Sequence, residues 1–273
     1  MLEPRSYLFV PAAKKKMIHK AMGSEADVLI IDLEDSVATS EKQTARENVI
    51  EALYETERNQ RIYIRINALD TPFWEEDLAC ALQVEAAGIV LPKAEDAEMM
   101  KAVADHFDTE RLIPLIETAK GVQFAYDIAV ANPKVERLAF GSLDYALDIG
   151  CQLTPGGQEL LFARSQLVNA SRAANIGAPV DTVYPDLNNE EGFVHEAKMA
   201  RQLGMRAKLL IHPKQIEATH RIFSPSEEEV EEYKEIVARF EAAEQEGIAS
   251  IAYNGRMIDY PVYQQAKQAL EKV

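Results

Sequence analysis

Cysteine is scarce in this chain of 273 residues: only Cys80 and Cys151 are present. Two cysteines that far apart form neither a disulfide framework nor a Cys-x-x-Cys metal clip, and nothing points to export, so the expected compartment is the reducing cytoplasm. Histidine is nearly as sparse, with five in all and no His-x-x-x-His pair, which argues against a zinc site. No apolar run approaches the length that crosses a bilayer. In "MLEPRSYLFVPAAKKK" the basic residues follow the apolar run, the reverse of a secretory signal. Positive charge is short as well: 29 Lys and Arg face 45 Asp and Glu, a formal net charge of −16. A nucleic-acid partner is therefore not expected, because it demands a basic surface that displaces counterions. Much of the acidity is solvated: "PSEEEVEEYKEIVARFEAAEQEG" predicts a late helix with Val230, Tyr233, Val237 and Phe240 along its apolar stripe. Nor does a Gly-x-Gly-x-x-Gly follow the first apolar run, so a dinucleotide-binding fold lacks its fingerprint.

What the chain does have is rhythm. Short β-rich runs occur at 6–10, 28–32, 62–66, 88–91, 112–116, 136–140, 178–183 (a weaker one) and 207–211, with helix-like segments such as 42–57 between most of them. Strand ends recur every 22 to 34 residues or so, except before the seventh, where a second helix at roughly 157–175 fits. Eight strands alternating with helices predict a (β/α)8 TIM barrel, with an open doubly wound sheet as competitor. The rhythm stops after "FSPSEEE". This predicts a barrel domain over 1–223 and a C-terminal helix and tail over 224–273.

In such a barrel, reactive groups sit where strands finish. Strand two ends in Asp32, Glu34 and Asp35; strand three in Arg65 and Asn67; strand four in Lys93; strand five in Glu117 and Thr118. Asp144 follows strand six and His212 strand eight. Any one of these serves equally well as a wet loop residue or a helix N-cap. Three acids together exceed what a cap requires. Convergent carboxylates with few histidines point to a hard cation, and Mg²⁺ needs only one or two of them.

The stretches "RSYLFVP" (5–11), "DLEDSV" (32–37), "RIN" (65–67), "LPKAE" (91–95), "PLIETAKGV" (114–122), "FGSLDYALDIG" (140–150), "IHPKQI" (211–216) and "NGRMIDYP" (254–261) resemble the citrate lyase beta-subunit-like, or malyl-CoA lyase-like, branch of the HpcH/HpaI aldolases. The resemblance implies a Mg²⁺-dependent barrel, commonly a trimer or hexamer. Its expected chemistry makes or breaks a carbon–carbon bond between an acyl-CoA or acyl-carrier thioester and a 2-oxo acid or glyoxylate. By position, Glu117 and Asp144 are the expected metal ligands. Arg65, Glu34, Asp35 and Asp259 are the expected catalytic residues, with Gly141 and Asp32 joining Arg65, Glu117 and Asp144 around the substrate. In malyl-CoA lyase-like members the tail folds as a lid over a neighbouring subunit, which implies that Asp259 acts in trans. Arg5, Lys14, Lys15 and Lys16 are the candidate CoA contacts, although Ala12 stands where the family usually has glycine, and a lysine-rich first turn is equally an ordinary solvated face. Two alternatives remain open: a class II aldolase acting on pyruvate, and a non-catalytic subunit that binds CoA or an acyl carrier.

Overall fold

The apolar runs form strands β1 (Ser6–Pro11), β2 (Val28–Asp32), β3 (Ile62–Arg65), β4 (Gly88–Leu91), β5 (Leu112–Ile116), β6 (Arg137–Phe140), β7 (Gly177–Asp181) and β8 (Ala207–Leu210). In this computed structural model, which describes residues 3–54, 61–106 and 111–271, the eight strands pair in parallel and in chain order, and β8 closes on β1. The expected TIM barrel is therefore present. The limits of β2, β4 and β5 match the sequence reading, and the others differ by one or two residues. The weakest run, β7, carries Pro179 and faces a register shift in β6 between Arg137 and Ala139. The helix expected at 42–57 spans Lys42–Leu53, and residues 55–57 lie outside the described ones. The helix expected at 157–175 spans Leu161–Ala173 after a 3-10 turn at Gln158–Leu160.

Strands covered on both faces read as unbroken apolar runs, yet their side chains still alternate. Val28 and Ile30 of β2, Tyr63 of β3, Ile113 and Leu115 of β5, Ala139 of β6, and Ala207 and Leu209 of β8 fill the barrel interior. Continuing that period of two by one more step reaches Asp32, Arg65, Glu117, Gly141 and Ile211 at the C-terminal ends. The rule that builds the core thus also aims the polar residues into the mouth.

The chain divides into two compact units, Pro4–His220 and one formed by Arg221–Val273 with the first residues. In the second, the helix Glu227–Gln245 opens with a capping box between Ser226 and Glu229. Strands β9 (Ile251–Tyr253) and β10 (Arg256–Ile258) form a hairpin within what the sequence gives only as a tail. Its two-residue loop, Asn254-Gly255, has φ of 47° and 74°, as the favoured hairpin turn with two left-handed residues requires. Asp259 caps the helix Tyr260–Leu270, and Pro261 sits in its first turn. Phe240 stacks on Tyr263 at 4.7 Å in a small core with Ile236, Ile258 and Ala266. Among the described residues, no helix is long and apolar enough to cross a membrane.

A charged network lies among the outward-facing side chains of the barrel wall. Asp181 of β7 accepts from Arg164 Nε at 2.7 Å and from Lys208 Nζ at 2.8 Å, and all three side chains are fully buried. Lys208 also donates to Glu196 at 2.7 Å, which ties β7 and β8 to the helices Leu161–Ala173 and Glu190–Leu203. Burial alone would raise the Asp181 carboxyl, but Lys208 and Arg164 hold it below the usual carboxylate range. Removing that charge strands two buried cations. Asp181→Asn is expected to cost about 3–5 kcal/mol of unfolding free energy, read from urea denaturation; a loss below about 1 kcal/mol would mean that the network contributes no more than a surface pair.

Candidate active site

Asp32 and Arg65 face each other across the β2–β3 ladder. Arg65 Nε donates to Asp32 Oδ1 and Nη2 to Asp32 Oδ2, both at 2.7 Å, in a two-point pair. Asp32 also accepts from the backbone N–H groups of Glu34 and Ser36, which folds the acidic loop around it. Burial tends to raise the Asp32 carboxyl, but the guanidinium outweighs it and holds the group below its usual range. The loop is clamped from behind. Lys42 Nζ donates to the carbonyls of Leu33 and Glu34, while Asn67 bonds Leu33 and Asp77, and Asp77 in turn pairs with Arg46. Beneath the pair, the Phe9 ring lies 4.7 Å from the guanidinium carbon, a cation–π contact.

Two other carboxylates are less content. Glu34 comes within 3.1 Å of Arg65 Nη1 and 3.6 Å of Lys93 Nζ, but the alignment is poor and neither of its buried oxygens has a hydrogen-bond partner. Burial above all, with Asp35 and Asp32 close by, pushes it up to about 7 despite Arg65 and Lys93. Glu117, at the tip of β5, accepts from the Lys93 backbone N–H at 2.7 Å, and Lys93 takes an unusual φ of 50° there. Burial, then the neighbouring Glu34 and Asp144, push Glu117 up to about 8. A Cβ on Gly141 would fall 2.5 Å from Glu117 Oε2, so this position is held open for the carboxylate.

A cavity of about 360 Å³ at the barrel mouth is lined by Asp32, Asp35, Arg65, Glu117, Gly141 and Asp144 together. Among the described residues, no group of three or more His, Cys, Asp or Glu is placed to hold a metal ion. Glu117 and Asp144 on one wall nevertheless suit a cation that keeps most of its waters, as Mg²⁺ does. Both buried oxygens of Glu34 lack a hydrogen-bond partner, and Glu34 and Asp144 repel Glu117, so the carboxylates crowded here outnumber their cations and fit such an ion.

Not every expected residue joins this set. Arg5 is a correction: it precedes β1, at the barrel's N-terminal end, and grips Asp27 through its backbone N–H and its guanidinium. It is thus at the wrong end of the strand for a thioester contact at the mouth. Lys15 pairs with Glu51 at 2.7 Å, while Lys14 and Lys16 are exposed at the start of the helix Lys15–Met22. Asp259 accepts one long bond, 3.4 Å, from Val262 N–H as a helix cap. Ser142, just before Asp144, hydrogen-bonds Thr182 at 2.7 Å on the cavity wall; Thr182, Phe9 and Ser36 are wall residues that the sequence did not single out. The signal for Thr182 and Phe9 was their place near a strand end; both looked like ordinary strand residues.

The raised Glu117 has a testable sign. In the folded chain it holds a proton that the unfolded chain releases near its ordinary value of 4.5, so folding binds a proton between there and about 8. Without divalent cations, stability falls as pH rises through that window. Glu117→Gln, with no proton to lose, is expected to flatten this slope in urea unfolding measured with chelator from pH 5 to pH 8; equal slopes would contradict the assignment.

Comparison with known proteins fits this geometry. Residues 5–213 match the model of the HpcH/HpaI aldolase/citrate lyase family. The citrate lyase subunit beta of Escherichia coli K12 is 38% identical, over 98% of this chain and 92% of that protein. The L-malyl-CoA/beta-methylmalyl-CoA lyase of Cereibacter sphaeroides is 34% identical, over 96% of this chain and 92% of its own. CitE from Mycobacterium tuberculosis, solved with magnesium, acetoacetate and coenzyme A, superposes with a TM-score of 0.85 at 30% identity, covering 99% of this chain and 98% of that one. A barrel whose mouth gathers these carboxylates around one arginine, in a chain this similar throughout, belongs to the HpcH/HpaI aldolase/citrate lyase family.

Proposed function

We propose that this protein is a Mg²⁺-dependent carbon–carbon lyase that cleaves, or forms, a 3-hydroxyacyl-CoA or acyl-carrier thioester of the malyl, citramalyl or citryl kind. The observation that carries this reading is the shared cavity, in which the Arg65 guanidinium and the Glu117 and Asp144 carboxylates line one space. Its family membership and its likeness to a chain solved with magnesium and coenzyme A support it. Glu117 and Asp144 would hold Mg²⁺, which when bound supplies Lewis acidity toward the hydroxyl oxygen and carboxylate of the substrate.

In the cleavage direction the hydroxyl proton passes to a base, and the hydroxyl oxygen becomes the 2-oxo group. The electron pair of the breaking C–C bond moves into the thioester as an enolate, whose carbon then takes a proton. No oxidant or reductant enters. Arg65, held in place by Asp32, stabilises the charge that develops on the thioester oxygen. Asp32, Glu34 and Asp35 orient that guanidinium and keep the mouth electronegative. Asp259 is the proposed proton-transferring residue, acting from a neighbouring copy of a trimer or hexamer; its carboxylate is half-buried and makes one long hydrogen bond in its own chain. Lys14 and Lys16 are the proposed CoA phosphate contacts, as point charges beside a helix N-terminus.

Purified protein with Mg²⁺ is expected to release a 2-oxo acid or glyoxylate from at least one of malyl-, citramalyl- and citryl-CoA, and chelator should stop it. No release from any of them would reject the lyase reading. Arg65→Lys keeps the charge but loses the planar fork, and is expected to lower kcat about 100- to 1,000-fold, the loss of about 2.7–4 kcal/mol typical of one such donor. For Asp259, an Asp259→Asn protein is mixed with a Glu117→Gln protein under conditions that exchange subunits. Recovered turnover is expected; persistent inactivity after verified exchange would defeat the role in trans.

A further inference from the structure

The N-terminal end of the barrel, opposite the mouth, carries charged side chains that the proposed chemistry does not use. Arg137 opens β6 two residues before Ala139 of the interior, so the period of two turns it inward as well. It is only 6% exposed. Its Nε and Nη1 are buried without a hydrogen-bond partner, and no acid among the described residues pairs with it. Its neighbours are better served. Arg5 grips Asp27, and Arg111 lies 3.9 Å from Glu136, whose other oxygen accepts from the Tyr63 hydroxyl at 2.9 Å. Asp27 and Glu136 thus have cations of their own, and Arg137 is left over.

A second donor stands beside it. The ring of Tyr7, a residue 1% exposed, lies 5.7 Å from the guanidinium carbon, near the outer limit of a cation–π contact. Burial pushes the Tyr7 hydroxyl well above its ordinary range, so it stays an O–H donor, and it makes no hydrogen bond among the described residues. Access is kept on one side. Gly177, half-buried, pairs with Arg137 across the β6–β7 ladder, and a Cβ there would stand 3.2 Å from Nη2 and 3.4 Å from Cζ. A larger residue would roof the guanidinium. A charge that loses its water on burial needs a partner to replace it. The Tyr7 ring offsets part of that charge but leaves the N–H groups without acceptors.

We propose that the Arg137 guanidinium and the Tyr7 hydroxyl form a binding site for one small inorganic anion of halide size, reached past Gly177 at the barrel floor. The charge follows from the pairing, which leaves one cation without an acid. The size follows from burial, since a bulky anion would have to push the floor apart to reach two residues so enclosed. The anion stabilises the fold and stands at the opposite end from the mouth, so the inference does not depend on the lyase reading.

Thermal unfolding is compared in sodium chloride and sodium gluconate at one ionic strength, gluconate being too bulky for the site. Chloride is expected to raise the wild-type Tm on the order of 3 °C for each tenfold excess over its Kd. Arg137→Met, which removes the charge, should abolish this response, and Tyr7→Phe, which removes only the hydroxyl, should reduce it. In gluconate Arg137→Met should be at least as stable as wild type, because an unpartnered buried charge is gone; in chloride that advantage should shrink or reverse. A wild-type Tm indifferent to chloride, or an equal rise in Arg137→Met, would overturn the site. Wild-type crystals soaked in bromide give a reading that needs no variant to fold. An anomalous peak within hydrogen-bond distance of Arg137 and Tyr7 is expected, and water alone at that place would overturn the proposal. A bromide peak with no chloride response in solution would mean binding at crystal concentration only, and would overturn it as well.

Discussion

The buried pair between Arg65 and Asp32 is the interaction on which the barrel mouth depends. A guanidinium at the end of a strand tolerates burial only with a partner that meets it at two points, and Asp32 does so from the adjacent strand. The same aspartate then accepts two backbone N–H groups of the loop that follows it. One side chain therefore fixes the arginine and the path of the chain. Glu34 and Asp35 are delivered to the guanidinium by that path, and Lys42 and Asn67 hold it by the carbonyls of Leu33 and Glu34. Having satisfied Asp32 first, Arg65 leaves both oxygens of Glu34 without a hydrogen bond and only weakly offsets the burial of Glu117. The surplus negative charge that suits a divalent cation follows from this unequal sharing.

Much of this was legible in the sequence, and the reasons differ by element. The barrel was readable because its strands are buried on both sides and stand out as short apolar runs at regular intervals. Strand β7 was hard to read because Pro179 and a polar end dilute the run, and its limits depend on a register shift that only the neighbouring strand reveals. The acids at 32–35 and Glu117 were visible as charges at the ends of apolar runs, and Arg65 by the same logic. The hairpin of β9 and β10 was overlooked although Asn254-Gly255 is a strong local signal, because strands of three residues carry too little periodicity to register.

The errors are equally physical. Arg5 was grouped with the mouth because it adjoins an apparent motif, but it stands before its strand whereas Phe9 and Pro11 lie five residues or so further along. Direction along a strand decides which end of a barrel a residue serves, and Asp27 claims Arg5 at the opposite end. Thr182 and its bond to Ser142 were not legible because that bond joins two strand ends far apart in the chain. The apolar half of the cavity was illegible for another reason. In sequence, a leucine that packs the core and one that faces a substrate look the same, and alternation tells them apart only once the strand ends are known.

Gly141 leaves one consequence for how such a protein can change. Its φ of −106° and ψ of 87° are not in the left-handed region, so the backbone does not demand glycine there; the Glu117 side chain does, with Oε2 2.5 Å and Cβ 2.7 Å from where a Cβ would stand. The first atom of any side chain would displace that acid at the tip of β5, while the network around Asp181 and the Arg65–Asp32 pair lie on other strands. A single-codon change at this site could therefore separate folding from chemistry. It would offer a short evolutionary path from an enzyme to a silent protein that keeps the same outer surface.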